Sequence, residues 1–150
     1  MKGGTRLSIG DVMRVRLVQV SPDETVQAAV ALMAAEDVGS VAVCEGARLV
    51  GIFTERDVLR LAGERADLDG LPVRAVMTTE LATVSPDDDI LAAARLMGRR
   101  RIRHLPVVQG DNVLGMVGIR DVLGALTERL WRTHDEEAHE TVRELLRRRG

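Results

Sequence analysis

Apolar positions along this chain alternate between two rhythms. Val26, Ala29, Val30 and Met33 recur at spacings of three and four, which puts them on one face of a helix. Ser21-Pro22-Asp23-Glu24 precedes them, with Ser21 as N-cap, Pro22 at the first helical position and Glu24 as capping-box partner, so a helix from Pro22 to Glu36 is predicted. The rhythm then changes. Gly39-Ser40-Val41-Ala42-Val43 reads as a strand rich in β-branched residues, Glu45-Gly46 as a hairpin turn, and Leu49 to Phe53 as the returning strand. Thr54 stands where an N-cap belongs and Asp57 follows in the first turn of a helix running from Glu55 to about Ala62. Residues 1–10 are polar and Gly-rich without periodicity, an arm that becomes ordered from Leu7 to Gly10. Glu64 to Pro72 shows no apolar period and reads as a connector.

The pattern then starts again. Ser21-Pro22-Asp23 returns as Ser85-Pro86-Asp87, Val12-Met13 as Val76-Met77, Met33 as Met97 and Asp57 as Asp121, always 64 residues later and without a gap. Of the 48 positions from Val12 to Leu59, 18 are identical to the residue 64 further on. This is an internal duplication. The expected fold is α/β: two pseudo-twofold-related repeats, each strand-helix-strand-strand-helix, plus a C-terminal helix. The boundaries expected are an N-terminal arm at 1–10, repeats at 11–63 and 74–126 joined by a linker at 64–73, and a helical tail at 127–150. In that tail, Thr133 to Glu136 offers a second helix start, and Ala138, Val142, Leu145 and Leu146 form an apolar stripe that needs a surface to pack on. Trp131 stands near the bend as a candidate anchor.

Composition narrows the function. Hydrophobic residues at 45% and charged residues at 29% are an ordinary globular mixture, and a net charge of −2 argues against a surface built as a whole for nucleic acid. Cys44, the only cysteine, excludes an intrachain disulfide, and a small buried side chain is its expected role. No stretch has the length of a membrane span and the first ten residues lack a signal-peptide core, so a cytoplasmic location is expected. His134 and His139 do not share a helical face and have no Cys or His cluster beside them, so no metal site is expected. No nucleophile-base pair and no phosphate-binding glycine motif of an enzyme is present, so no catalytic residue is assigned. The chain is read as a non-enzyme with no required cofactor.

The ordered motifs DVM, SPDETVQAAVALM, GSVAV and GIFTERD, repeated as AVM, SPDDDILAAARLM, RHLPVV and GMVGIRD, resemble a pair of cystathionine-β-synthase (CBS) domains, the Bateman module, over residues 11 to 125. The resemblance implies a regulatory module that binds an adenosyl compound (AMP, ADP, ATP or S-adenosylmethionine) in clefts between its repeats. Within the family's motif, Gly51, Thr54 and Asp57 match fully, the Asp accepting from a ribose diol and the Thr touching ribose or phosphate. An ionised carboxylate suits that task because its two oxygens can face two vicinal hydroxyls. Asp121 matches in the second copy, with Gly118 where the hydroxyl would be. The resemblance also places Gly39 and Ser40, and their counterparts Arg103 and His104, beside the ligand's phosphates, a solvated basic turn being the alternative for Arg103 and His104; Pro106 and Thr78 are further candidate ligand residues, Thr78 as a loop contact. Arg99 to Arg101 read equally well as a solvated basic turn at a helix end.

The leading expectation is a ligand sensor read by an effector protein. A ligand-free scaffold is the alternative, and nucleic-acid binding stands third on the Arg clusters alone. Alanines at 28, 29, 31, 34, 35 and 92 to 94 permit close helix approach, so a homodimer is expected, with the C-terminal helix adding to or swapping across its interface, Val142, Leu145 and Leu146 buried and Arg147 to Arg149 exposed.

Overall fold

A computed structural model describes residues 7–14, 16–133 and 136–147. The elements in chain order are α1 (Ile9–Val12), β1 (Gln19–Val20), α2 (Val26–Glu36), β2 (Ser40–Glu45), β3 (Arg48–Thr54), α3 (Glu55–Gly63), a single 3-10 turn (Val73–Ala75), α4 (Ile90–Arg100), β4 (His104–Gln109), β5 (Asn112–Gly118), α5 (Ile119–Thr133) and α6 (Glu136–Arg147). They form two compact units that cut across the sequence repeats. One, here the Asp57 unit, holds Arg16–Ala82 and Gly110–Val113; the other, the Asp121 unit, holds Thr83–Gln109, Leu114 onward and the first fifteen residues.

In the Asp57 unit, β2 and β3 form an antiparallel hairpin that pairs Ser40 with Thr54 and closes at Gly46, whose φ of 62° suits a residue without Cβ. β1 runs parallel to β2 at Gln19 and Val20. The core gathers Val20, Val26, Ala29, Met33, Val41, Val43, Phe53, Leu61 and Val73. Phe53, the only phenylalanine, is fully buried, and its burial stabilises the unit by about 2 to 3 kcal/mol.

Val73, the last residue of the expected linker, leads directly into the second repeat, and its presence in this core reports how the duplication is assembled. The amides of Val73 and Arg74 donate to the carbonyls of Glu24 and Pro22 at 2.8 and 2.9 Å, and Val26 N–H donates to Leu71 O at 2.8 Å. Subtracting or adding 64 gives the same three bonds in the Asp121 unit: Ile9 N–H to Asp88 O, Gly10 N–H to Pro86 O and Ile90 N–H to Leu7 O, at 2.8, 2.8 and 3.2 Å. Each repeat's opening segment therefore docks on the body of the other repeat. Leu7 to Gly10 are anchored accordingly, with Ile9 fully buried.

This docking corrects the predicted helix starts. The carbonyls of Pro22 and Glu24 already serve the incoming segment, so Ser21 to Glu24 stays a turn, and the Glu24 carboxylate accepts from Ser21 N–H at 2.7 Å within it. The helix begins at Val26 with Thr25 as N-cap, its hydroxyl accepting from Ala28 N–H at 3.1 Å. Asp89 holds the N-cap position of α4 in the second copy, without the side-chain cap hydrogen bond that Thr25 makes. The stretch read as a connector also has a structural role, since the carbonyls of Leu68 and Leu71 take the first amides of α2 while Ala66, Leu68 and Leu71 pack against the core.

The repeats part company at two places. β1 has only a bridge, Val84 to Val107, as its counterpart, because Pro106 stands where Ala42 donates its N–H to Val18 and has no donor of its own. In addition, α6 packs on α4 and α5 of its own chain and buries Ala138, Thr141 and Leu145. Within its own chain the tail thus buries Leu145 as expected, but neither Val142 nor Leu146. Thr141 and Leu145 follow Ala138 at helical spacing on one face, whereas Leu146 is turned about 100° away and stays 57% exposed, with Val142 half-buried. Arg95 of α4 and Glu137 of α6 form an ion pair along this seam. Arg147 is exposed; the Trp131 side chain, the helix start at His134-Asp135 and Arg148 to Arg149 lie outside the described residues. Among the described residues no helix is long and apolar enough to cross a membrane.

Candidate functional site

The end of β3 hands the chain to α3 through Thr54, which is half-buried and extended at φ −127°. Both donors of Thr54 converge on one oxygen of Asp57: the amide at 2.9 Å and the hydroxyl at 3.3 Å meet Oδ2. The other oxygen, Oδ1, faces the Arg60 guanidinium at 3.6 Å. Helix capping therefore engages half of the carboxylate, and the Asp57 side chain remains 15% exposed.

Neighbouring residues of the Asp57 unit assemble around this turn. Ser40 lies directly across the ladder from Thr54, and Gly39 O accepts from Glu55 N–H at 2.9 Å, tying the start of β2 to the start of α3. Thr78 bridges Ile52 through two backbone hydrogen bonds of 3.0 Å. The approach of that segment requires Gly51, since a Cβ there would lie 2.5 Å from Met77 Sδ and 3.1 Å from Thr78 O. Gly39, Ser40, Thr54, Asp57 and Thr78 are thus brought to one end of one unit, Thr78 being supplied by the second repeat.

The Asp121 unit repeats the frame with different side chains. Gly118 N–H donates to Asp121 Oδ2 at 3.2 Å, and Arg103 O accepts from Ile119 N–H at 2.8 Å. Gly118 lies beside His104: a Cβ at 118 would make ordinary van der Waals contact with the His104 ring at 3.8 Å and with Asp121 Oδ2 at 3.5 Å. The pair Ser40 and Thr54 is thereby exchanged for a large residue facing a glycine, a swap that conserves volume. Pro106 is buried two residues along the strand from His104, and its carbonyl accepts from Val84 N–H at 3.0 Å.

One residue escaped the sequence reading. Arg14 lies 64 positions before Thr78; its amide donates to Met116 O at 3.0 Å, and its Nε stands 3.9 Å from Asp121 Oδ2. The duplication itself was the missed signal. Gly115 allows the contact, since a Cβ there would collide with Arg14 O.

Other reactive groups lie elsewhere. Cys44 is buried, and that burial pushes its thiol pKa up, away from the thiolate a nucleophile needs. Hydrogen bonding to Asp23, followed by the charges of Asp23 and Glu45, raises the pKa of the exposed Arg74 at the docked segment. Among the described residues no group of three or more His, Cys, Asp or Glu is placed to hold a metal ion.

Comparison with known proteins gives these two copies a context. The family profile described as "CBS domain" matches residues 9–64 and again 73–128. The CBS domain-containing protein YhcV of Bacillus subtilis is 37% identical over 116 residues, covering 77% of this chain and 82% of that protein. The solved structure of a CBS domain protein from Pyrobaculum aerophilum, complexed with AMP, superposes with a TM-score of 0.71 at 28% identity, over 76% of this chain and 88% of the other. A hexameric CBS-CP12 protein from bloom-forming cyanobacteria gives a TM-score of 0.74 at 25% identity, over 96% and 99%. With a 64-residue duplication, the same frame rebuilt in both units and two successive profile matches, this chain belongs to the CBS domain family and carries two CBS domains in tandem.

Proposed function

We propose that this chain is a regulatory module that binds adenosyl ligands, the ribose being held by Asp57 in one unit and by Asp121 in the other. The observation that carries the reading is the half-used carboxylate of Asp57: the cap occupies Oδ2 and leaves Oδ1, beside Arg60, able to accept from a ribose hydroxyl. Thr54, Ser40, Gly39 and Thr78 complete that site. Arg103, His104, Pro106 and Gly118 complete the other. AMP in the Pyrobaculum neighbour supports the ligand class. No residue is assigned a catalytic role, and the signal passes to an effector protein through a change in shape or in assembly. The module works as a homodimer, a reading supported by the exposed Ala28, Ala31, Ala34 and Ala35 of α2 and by the hexamer of the cyanobacterial neighbour.

Isothermal titration with AMP, ADP, ATP and S-adenosylmethionine tests the ligand. Saturable binding of at least one is expected, and absence of binding to all four at millimolar concentration contradicts the reading. Light scattering at micromolar concentration tests the assembly, where a monomer contradicts it.

A further inference from the structure

Six matched positions surround each of the two carboxylates, and their charges run in opposite senses. Around Asp57 stand Gly39, Ser40, Thr54, Glu55, Arg60 and Thr78: two carboxylates, counting Asp57, against one guanidinium. The matched residues in the Asp121 unit are Arg103, His104, Gly118, Ile119, Gly124 and Arg14: two guanidiniums and an imidazole against the single carboxylate of Asp121. The backbone frame is the same in both, through Glu55 N–H to Gly39 O and Ile119 N–H to Arg103 O at 2.9 and 2.8 Å. Side chains alone differ. Arg60 is committed along its own helix, 3.6 Å from Asp57 and 3.8 Å from Glu64. The Arg14 side chain, in contrast, is 60% exposed and meets Asp121 only at 3.9 Å, so its remaining donors can turn to an incoming anion.

We propose that the two sites are tuned to ligands of different charge. The Asp121 site takes an adenosyl ligand with a polyphosphate tail, with Arg14 as the residue that sets this preference. The Asp57 site takes one whose tail carries no more than a single phosphate. This rests on the adenosyl reading above and adds to it which site takes which class. A guanidinium presents a planar fork of donors to phosphate oxygens, and charge-assisted bonds of this kind are about twice as strong as neutral ones. Thr78 offers one hydroxyl at the same position.

The test titrates the full chain, at one fixed ionic strength, with adenosine, AMP, ATP and inorganic tripolyphosphate, in an Asp57→Asn background that weakens the other site. Arg14→Thr, which copies Thr78, is expected to weaken ATP and tripolyphosphate about tenfold and to leave adenosine within about twofold. The reciprocal Thr78→Arg, made in an Asp121→Asn background, is expected to strengthen ATP and tripolyphosphate at the Asp57 site, a gain that a misfolded variant does not produce. Unchanged ATP affinity in Arg14→Thr, or an equal loss for adenosine, overturns the assignment. Arg14-dependent binding of tripolyphosphate without any binding of adenosyl compounds refutes the adenosyl reading and supports the charge assignment. Binding of none of the four probes overturns both.

Discussion

The turn at Asp57 and the turn at Asp121 share the backbone hydrogen bond that ties strand to helix, Glu55 N–H to Gly39 O and Ile119 N–H to Arg103 O, yet one is lined by Ser40 and Thr54 and the other by His104 and Gly118. The difference teaches that the frame and the ligand contacts are set by separate residues. Gly51 and Gly115 admit the docked segments, and Asp57 and Asp121 cap the following helices, so these four are retained in both copies. The side chains at positions 40, 54, 104 and 118 have diverged on that common frame. A second contrast lies in the helices: α4 buries Leu91, Ala94 and Gly98 where α2 has exposed Gln27, half-buried Val30 and exposed Ala34, because α6 covers one copy and has no counterpart in the other.

The largest expected effect separates the cores. Phe53 and Val117 occupy matched positions and both are fully buried. Phe53→Ala is expected to cost about 4 kcal/mol and Val117→Ala about 2 kcal/mol in urea unfolding, because the first leaves the larger cavity. Comparable losses at the two positions would mean that the Asp57 core collapses around the gap.

The docked segments are compared next. At Gly115 the obstacle to a Cβ is the Arg14 backbone carbonyl, whereas at Gly51 the nearest atoms belong to the flexible Met77 side chain. Gly115→Ala is expected to destabilise by about 3 kcal/mol and Gly51→Ala by about 1 kcal/mol, since a methionine side chain yields more readily than a backbone does. The reverse order in chemical denaturation would contradict the exchange of opening segments.

A smaller contrast concerns the tail. Leu145 packs within reach of Gly98, a Cβ there lying 3.1 Å from Leu145 Cδ2, while Leu146 is mostly exposed. Leu145→Ala is expected to cost about 2 kcal/mol and Leu146→Ala less than about 0.5 kcal/mol. Equal effects would place both on a covered face, as the apolar stripe alone suggested.

These contrasts also show what was legible in the chain. The hairpin around Gly46, the strand-to-helix turn at Thr54 and the 64-residue offset rest on local chemistry and could be read directly. The start of α2 could not. Ser21-Pro22-Asp23-Glu24 carries every local mark of a helix N-terminus, and the partners that hold it as a turn, Val73 and Arg74, lie about fifty residues away in sequence. Arg14 escaped for the same reason, because nothing near it in sequence links it to Asp121. The tail's stripe was placed one position off its buried centre because Thr141, a polar residue, occupies the middle of the covered face and bonds Glu137 O at 2.8 Å.

The role of Asp57 as a ligand residue can be separated from its role as a helix cap by one substitution. Asn keeps a side-chain oxygen for the Thr54 amide, but it removes the charge and replaces one acceptor oxygen with a donor. The measurement is AMP titration of the wild-type chain, Asp57→Asn and Asp57→Ala, with thermal unfolding of each. A sensor predicts that Asp57→Asn unfolds within about 0.5 kcal/mol of wild type while binding AMP at least about tenfold more weakly at that site. Unchanged AMP binding by Asp57→Asn, with stability lost only in Asp57→Ala, would make Asp57 a cap and nothing more.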